Sequence, residues 1–294
     1  MIDFIVNPAS GSGAAKKAAA AAESELIKRG VPYAFHLTNK AGDAAVIAGE
    51  CIANGTDAVA IIGGDGSVQE VAGTMARTGV PLGIVPAGSG NDLIASLYDY
   101  KGFDPVYFVE KIIGGETRCI DVIKCTVAND IYHFVNIGSV GLDAEIVHKA
   151  DDFKKVFRRF AYIVSTVYNA FTYKPGRLSV ESDALNYDGN LSLTAICNGG
   201  VYGGGFKIAP SAVVDDGFIT LCVVKPLSKL KILMLFPSVL SGKHTELKEI
   251  DFYDIKKVTI NYDGIIKVNL DGNIFDYKGP AVFEIEPGAL KIFK

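Results

Sequence analysis

The feature that most limits how this chain can fold is an alternation of two patterns up to Gly115. Short apolar runs read as buried strands: Ile2–Val6, Pro32–Leu37, Ala58–Ile62 and Leu82–Val85. Between them lie stretches with helical character: Ala14–Arg29, Asp43–Asn54, Ser67–Arg77, Asp92–Leu97 and Val106–Ile113. Gly30, Gly55 and the pair Gly114-Gly115 supply stop signals. A strand-helix order of this kind implies a parallel sheet with helices on both faces.

From about Thr117 the pattern changes to strand and turn. Expected strands are Arg118–Thr126, Tyr132–Ile137, Leu178–Ser182, Leu191–Cys197, Gly217–Val224, Ile255–Asn261, Ile265–Leu270 and Ala281–Phe293. Leu142–Phe171 reads as mostly helical with a break near Asp151, and Pro226–Leu240 as a helix within this half. Asp188-Gly189 and Asp263-Gly264 are turn signals. The expected fold class is α/β plus β: a doubly wound parallel-sheet nucleotide domain at 1–116, then a β-sandwich domain with inserted helices at 117–294, whose last strand is free to return to the first domain. No Pro/Ser linker separates them, so close packing around a cleft is expected.

Composition narrows the function. The 294 residues are 49% apolar and 21% charged, which excludes disorder, collagen and coiled coil as global descriptions. The net charge of -4 argues against a generally basic nucleic-acid binder. The five cysteines, Cys51, Cys119, Cys125, Cys197 and Cys222, are odd in number and never in CxxC spacing. They are expected as small core residues in a reducing cytoplasm, with neither a disulfide framework nor a zinc site. The first residues carry no basic leader or long apolar core, so no signal peptide is expected. No apolar run reaches the length of about 18 residues needed to span a bilayer.

Three Gly-rich loops follow expected strands and lead into helices: Asn7-Pro8-Ala9-Ser10-Gly11-Ser12-Gly13, Gly63-Gly64-Asp65-Gly66-Ser67 and Pro86-Ala87-Gly88-Ser89-Gly90-Asn91-Asp92. Parallel strands would gather them at one edge of the sheet. Glycine lets backbone approach a phosphate, and helix N-termini supply oriented N–H groups. Ser10, Ser67 and Ser89 add hydroxyls. GxxxxGK[ST] is absent, and GxGxxG fails at Lys16 in the first loop and Gln69 in the second, so neither a P-loop nor a Rossmann NAD site is expected. Asp65 and Asp92 sit within these loops. A carboxylate beside phosphate is repulsive unless a cation lies between, and Mg²⁺ accepts both kinds of oxygen. Asp121 is a candidate third carboxylate. Asp92 also reads as a helix-capping residue, and Asp121 as a solvated strand-end carboxylate.

The segments Asn7-Pro-x-Ser-Gly, Gly63-Gly64-Asp65-Gly66-Ser67 with Glu70, and Pro86-x-Gly-Ser-Gly-Asn91-Asp92 closely resemble those of bacterial diacylglycerol kinases and sphingosine kinase-like lipid kinases. The resemblance continues through Asn136-Ile-Gly-Ser-Val-Gly-Leu-Asp143, Asn198–Gly205, and Ala209-Pro210 to Asp215-Asp216-Gly217. It implies transfer of the γ-phosphoryl group of ATP to a lipid hydroxyl. Asn7, Pro8, Ser10, Gly11, Thr38, Gly63, Gly64, Gly66, Ser67, Glu70, Ser89 and Asn91 would then serve the nucleotide. Asp65, Asp92 and Asp121 would hold the catalytic Mg²⁺ through water. A second Mg²⁺ site would use the carboxylate of Asp216 and the carbonyls of Val213 and Phe218. The bare reading of Asp215-Asp216-Gly217 is a hairpin turn.

One departure matters. The family's proposed base is the glutamate of an Asp-Gly-Glu segment, and here the segment is Asp271-Gly272-Asn273. A carboxamide cannot accept a proton at neutral pH. Asp271 or Asp65 could take the role, transfer could rest on positioning and charge neutralisation, or turnover could be weak or lost.

Phe153-Lys-Lys-Val-Phe-Arg-Arg-Phe160 has the pattern of a basic amphipathic helix, suited either to an anionic lipid surface or to packing on the β-domain. Lys225, Lys229 and Lys231 form a smaller basic cluster, and His36, His133, His148 and His244 show no ligand spacing. The resulting expectation is a cytoplasmic, membrane-peripheral, ATP- and Mg²⁺-dependent lipid kinase, with diacylglycerol as default acceptor, no nucleic-acid partner, and a homodimer as one assembly open to it. The rivals are a soluble-substrate kinase related to NAD kinase and a nucleotide- and lipid-binding regulator without turnover.

Overall fold

A computed structural model describes residues 1–98, 104–142 and 175–294. The chain forms two compact units. The first comprises Met1–Val122, Val214–Gly217 and Glu286–Lys294, and the second Ile123–Val213 and Phe218–Ile285.

In the first unit, β1 (Ile2–Val6), β2 (Tyr33–Leu37), β3 (Ala58–Gly63) and β4 (Leu82–Pro86) form a parallel sheet in the order β2-β1-β3-β4. The end of β16 (Ala281–Phe293) joins β4 in parallel, with Ile292 opposite Leu82. The helices are α1 (Ala14–Arg29), α2 (Asp43–Ala53), α3 (Asp65–Met75), α4 (Asp92–Leu97) and α5 (Pro105–Gly114). The chain steps one way from β1 to β2 and the other way from β2 to β3 to β4. Right-handed crossovers place helices from opposite steps on opposite faces, and α1 accordingly packs on α5 while α2 packs on α3. β3 and β4 are buried along their whole length and β1 from Asp3 onward, as strands covered on both faces must be.

The second unit is antiparallel. Its first sheet contains β5 (Thr117–Val127), β6 (Asp130–Phe134), β8 (Gly176–Ser182), β9 (Asn186–Leu191), β13 (Lys257–Tyr262) and the early part of β16, in the path β16-β13-β8-β9 with β5 joining β16 and β6. Its second sheet runs β12 (Ile250–Ile255), β11 (Ile219–Val224), β10 (Leu193–Cys197), β7 (Ile137–Gly141), β14 (Ile265–Leu270), β15 (Asn273–Lys278). Phe134, Phe283, Ile196, Leu221 and Val258 lie in the core between the sheets, with the two phenylalanine rings edge-to-face at 6.3 Å. The far face of the second sheet carries Ala195, Cys197, Cys222 and Val224 under Val239 of the helix Lys229–Ser241. Successive residues of β10 and β11 thus enter different cores, which is why those strands read as unbroken apolar runs rather than alternating ones.

Several expectations change. Tyr132–Ile137 is two strands, because the chain leaves one sheet at Phe134 and enters the other at Ile137. Asp188-Gly189 is no turn. Both residues lie inside β9, with Asp188 opposite Ser179 and Gly189 opposite Leu178, and the reversal comes earlier, where Ser182 N–H donates to Leu185 O. Asp263-Gly264 does turn, but it links β13 and β14 of different sheets. The strands β9, β12 and β15 were not foreseen. Cys51, Cys125, Cys197 and Cys222 are buried as expected, whereas Cys119 is exposed. The expected helix at Leu142–Phe171, apart from Leu142 itself, and the basic segment Phe153–Phe160 lie outside the described residues.

Phe283 is fully buried in the sandwich core. Phe283→Ala should destabilise the protein by about 3–5 kcal/mol in urea unfolding, whereas Cys119→Ser at the exposed cysteine should change it by less than about 0.5 kcal/mol.

Candidate active site

The three Gly-rich loops leave the sheet level with one another. Val6 is in register with Ile62, and Gly63 with Pro86. Asn7 N–H donates to Ile62 O and Ala87 N–H to Gly63 O, so the ladder carries pairing into the loops. The strand order changes direction between β1 and β3, the switch point where open α/β sheets bind ligands beyond the carboxyl ends of their strands.

The loops then touch backbone to backbone. A Cβ on Gly11 would lie 2.2 Å from the carbonyl oxygen of Ala87, and Gly11 has φ +58°. A Cβ on Gly88 would lie 2.6 Å from Cα of Gly64. Gly11, Ser12 and Gly13 take positive φ in succession, a conformation that costs little at glycine. Nothing larger fits where these loops meet.

Side chains lock the arrangement. Asn7 Nδ2 donates to Ser67 Oγ at 2.8 Å, and its Oδ1 accepts from Ala9 N–H. Ser10 Oγ accepts from Gly64 N–H at 3.3 Å. Asn91, buried with φ +58°, closes the third loop by exchanging hydrogen bonds with the backbone of Gly88. Asp65 reaches across: Oδ2 accepts from Asn91 N–H and Oδ1 from Asp92 N–H, at 2.8 and 2.7 Å. The site of the Cβ that Gly90 lacks is 2.7 Å from Asp65 Oδ2 and 3.3 Å from Asp92 Oδ2, so two carboxylates converge there. Glu70 accepts from Gly42 N–H and holds the loop after β2, where Thr38 is buried and donates its N–H to Val6 O. Gly66 and Ser89 are exposed, and Pro8 is half-buried.

The N-cap residue's own side chain makes no cap bond at α1, α2, α3 or α4, the helices opening from this edge, although at α4 Asp65 takes the first N–H groups. By contrast, Asp104 caps α5 and Ser228 caps Lys229–Ser241. Uncapped N-termini keep N–H groups for an anionic ligand. Sequence reasoning passed over Lys16 and Lys17, exposed in the first turn of α1, which holds no acidic residue. Lysines there oppose the helix dipole, and that inversion was the signal available.

The other expected site residues have different surroundings. Asp121 is buried on β5 rather than solvated. Its Oδ2 accepts from Gly217 N–H and its Oδ1 from Gly288 N–H, both at 2.7 Å, and its own N–H donates to Val214 O. Next to Gly217, Asp215 pairs with Arg118 at 3.3 Å. In the second unit, Val213 and Phe218 are exposed, and Lys256 Nζ lies 5.5 Å above the Phe218 ring. Asp271 and Gly272 form the two-residue turn of the β14–β15 hairpin, both at positive φ as a type I′ turn requires. The Asp271 carboxylate accepts from the N–H groups of Val135, Asn136 and Ile137. Asn136 Nδ2 donates to Val201 O, and Asn198 Nδ2 to Val135 O. Asn273 follows the turn and is exposed.

Comparison with known proteins agrees with this picture. The diacylglycerol kinase catalytic domain matches residues 2–125, and the YegS C-terminal NAD kinase beta sandwich-like domain matches 136–294. The diacylglycerol kinase of Mycobacterium tuberculosis H37Rv is 32% identical over 295 aligned positions, covering 100% of this chain and 94% of that protein. The chain belongs to the diacylglycerol kinase/YegS family of lipid kinases. This family member is also 27% identical to the diacylglycerol kinase of Bacillus subtilis, over 92% of its own length and 88% of the relative's. Its fold matches a Bacillus anthracis crystal structure described as a candidate diacylglycerol kinase, with a TM-score of 0.81 at 23% identity over 99% and 96% of the chains. An Archaeoglobus fulgidus NAD kinase solved with ATP shares the fold at a TM-score of 0.55 and 14% identity over 100% and 94%.

The contact of Gly11 with Ala87 O makes a direct prediction for this kinase. Gly11→Ala should weaken ATP binding at least about tenfold, equivalent to about 1.4 kcal/mol, measured by calorimetry on protein whose far-UV circular dichroism is unchanged.

Proposed function

We propose that this protein is an ATP- and Mg²⁺-dependent lipid kinase acting on a lipid hydroxyl, with diacylglycerol as the acceptor. The observation that carries the reading is the loop cluster, in which backbone N–H groups and uncapped helix starts surround a space that only glycines leave open. Such a surface suits a polyphosphate. Gly11, Gly63, Gly64, Gly66, Ser67 and Ser89 would line the phosphates, and Lys16 and Lys17 would add positive charge at the start of α1.

Asp65 and Asp92 offer only hard oxygen donors beside this surface, the donor set Mg²⁺ requires. They would hold the ion with the phosphates, and the ion, when bound, neutralises charge that builds up in phosphoryl transfer. Asp65 also fixes the first turn of α4, so its loss would disturb both metal and loop. Asp121 is read as a positioning residue that ties Gly217 and Gly288 to β5. Asp271 is read the same way. Its oxygens face three backbone N–H groups, which suits holding a hairpin better than taking a proton. Asp65 then remains as the proton acceptor, or transfer rests on positioning.

In the second unit a cavity of about 290 Å³ with a mixed lining, Val127, Val268, Leu270, Ile274 and Phe275 beside Asp130 and Asp276, is read as room for part of the lipid acceptor. A second reading rests on Asn273. With no carboxylate at that position, the protein could bind nucleotide and lipid with little turnover, since a missing general base costs roughly 10²–10⁴-fold.

Transfer of γ-³²P from Mg·ATP to vesicles containing diacylglycerol tests these readings together. The wild type should label the lipid, and Asp65→Ala should lower the rate by at least about 10²-fold. Asn273→Glu should raise kcat. Label from Asn273→Glu alone would favour the regulator. Label on soluble acceptors without vesicles would overturn the lipid assignment.

The cavity makes a separate prediction. Val268→Phe should raise KM for long-chain diacylglycerol more than for a short-chain analogue, with ATP affinity unchanged.

A further inference from the structure

Outside the phosphate-facing loops, three chemically different metal-ligating side chains meet in the first unit: Asp3 on β1, His36 on β2 and Cys51 on α2. The parallel register sets Asp3 opposite Ala34 and Ile5 opposite His36. With a period of two, Asp3 and His36 are therefore diagonal neighbours on one face. α2 buries Ala44, Ala48 and Cys51, a stripe at helical spacing whose last member covers that face. The carboxylate oxygen, ring nitrogen and sulfur all lie within 4.8 Å of one another. His36 Nε2 is 2.7 Å from Asp3 Oδ1. Asp3 and Cys51 are each 5% exposed, whereas the His36 side chain is 36% exposed and leaves one side open to water.

The cluster places a buried carboxylate beside a buried thiol. Asp3 interrupts an otherwise apolar buried strand, and a carboxylate there is costly unless compensated. Burial, then the charges of Asp3 and Glu50, push the Cys51 thiol up to about 11. A divalent cation would offset both carboxylates and favour the thiolate.

We propose that Asp3, His36 and Cys51 form a binding site for a zinc-class divalent cation, with water as fourth ligand. One carboxylate oxygen, one imidazole nitrogen and one sulfur are a borderline-soft set that suits tetrahedral Zn²⁺ and disfavours Mg²⁺. At bond lengths of about 2.0–2.3 Å, tetrahedral ligand atoms sit roughly 3.3–3.7 Å apart, so separations near the 4.8 Å limit need to close by about 1 Å while the 2.7 Å Asp3–His36 pair needs to open. Binding releases the Cys51 thiol proton to solvent, and the proton held in the His36 Nε2–Asp3 hydrogen bond leaves Nε2, with Nδ1 carrying the ring proton, so that the Nε2 lone pair faces the metal. The bound ion would tie edge strand β2 and helix α2 to β1. This site is separate in position and chemistry from the oxygen-only pair Asp65 and Asp92.

Cobalt titration of the chelator-treated, full-length protein tests the proposal, because tetrahedral Co²⁺ replaces Zn²⁺ and reports a bound thiolate by a near-ultraviolet charge-transfer band. The expected result is one equivalent bound with that band present, and displacement by Zn²⁺. Cys51→Ser should lose the band, while Cys119→Ser, at the exposed cysteine, should keep it. Outer-shell partners alone are worth about 10–100-fold in affinity, so His36→Gln should weaken Co²⁺ binding at least about tenfold. Thermal melts of each metal-free variant establish that it is folded, and the half-exposed His36 carries the test should Cys51→Ser fail to fold. Absence of a thiolate band at millimolar Co²⁺, its persistence in Cys51→Ser, or unchanged affinity in His36→Gln would overturn the proposal and leave a buried Asp–His pair beside a core thiol.

Discussion

The contact on which the proposed site depends is backbone against backbone, between the first and third Gly-rich loops and between the second and third. Two chain segments can come this close only where no Cβ stands in the line of contact. Gly11 meets the carbonyl oxygen of Ala87, and Gly64 meets Gly88. Level parallel strands bring the loops together, and the missing side chains let them interlock. The result is a surface made of main-chain N–H groups and helix starts, whose charge comes from fixed dipoles rather than from mobile side chains. A surface of that kind is ready-made for a polyphosphate and needs little reorganisation on binding.

Within each unit, aspartates hold backbone segments in place. Asp65 accepts two N–H groups at the start of α4. Asp121 accepts those of Gly217 and Gly288. Asp271 accepts from three successive residues before and within β7. In each case a carboxylate joins segments far apart in the chain by charge-assisted hydrogen bonds, stronger than neutral ones. A motif aspartate in this fold can therefore be indispensable without touching substrate, and loss of activity on mutation would not by itself identify a catalytic group.

How far the chain could be read in advance depended on how local each determinant is. Helix α1 was legible to the residue, since its Ala-rich body and the left-handed Gly30 at its end are both local. So was β16, whose expected bounds Ala281–Phe293 match the strand. The two-sheet unit was harder. Phe134 and Ile137 look like one strand because both are buried, yet they belong to different sheets. Asp188-Gly189 has the composition of a turn but lies in β9, where pairing with β8 overrides local preference. Cys119 and Asp121 are two residues apart and share one face of β5, yet Cys119 is exposed while the backbone at Gly217 and Gly288 covers Asp121, which composition does not encode.

By itself the sequence determined the alternation of strands and helices in the first unit, the predominance of strands in the second, and the glycines that permit close loop contact. These rest on periodicity and on backbone freedom, both properties of a few consecutive residues. The tertiary structure decided which polar side chains meet. It turned Asp271 toward the backbone of Val135–Ile137, enclosed Asp121, and gathered Asp3, His36 and Cys51 from two strands and a helix onto one face. No linear spacing announces such a cluster, because the distances between its members are set by strand register and by the helix stripe packed over the sheet.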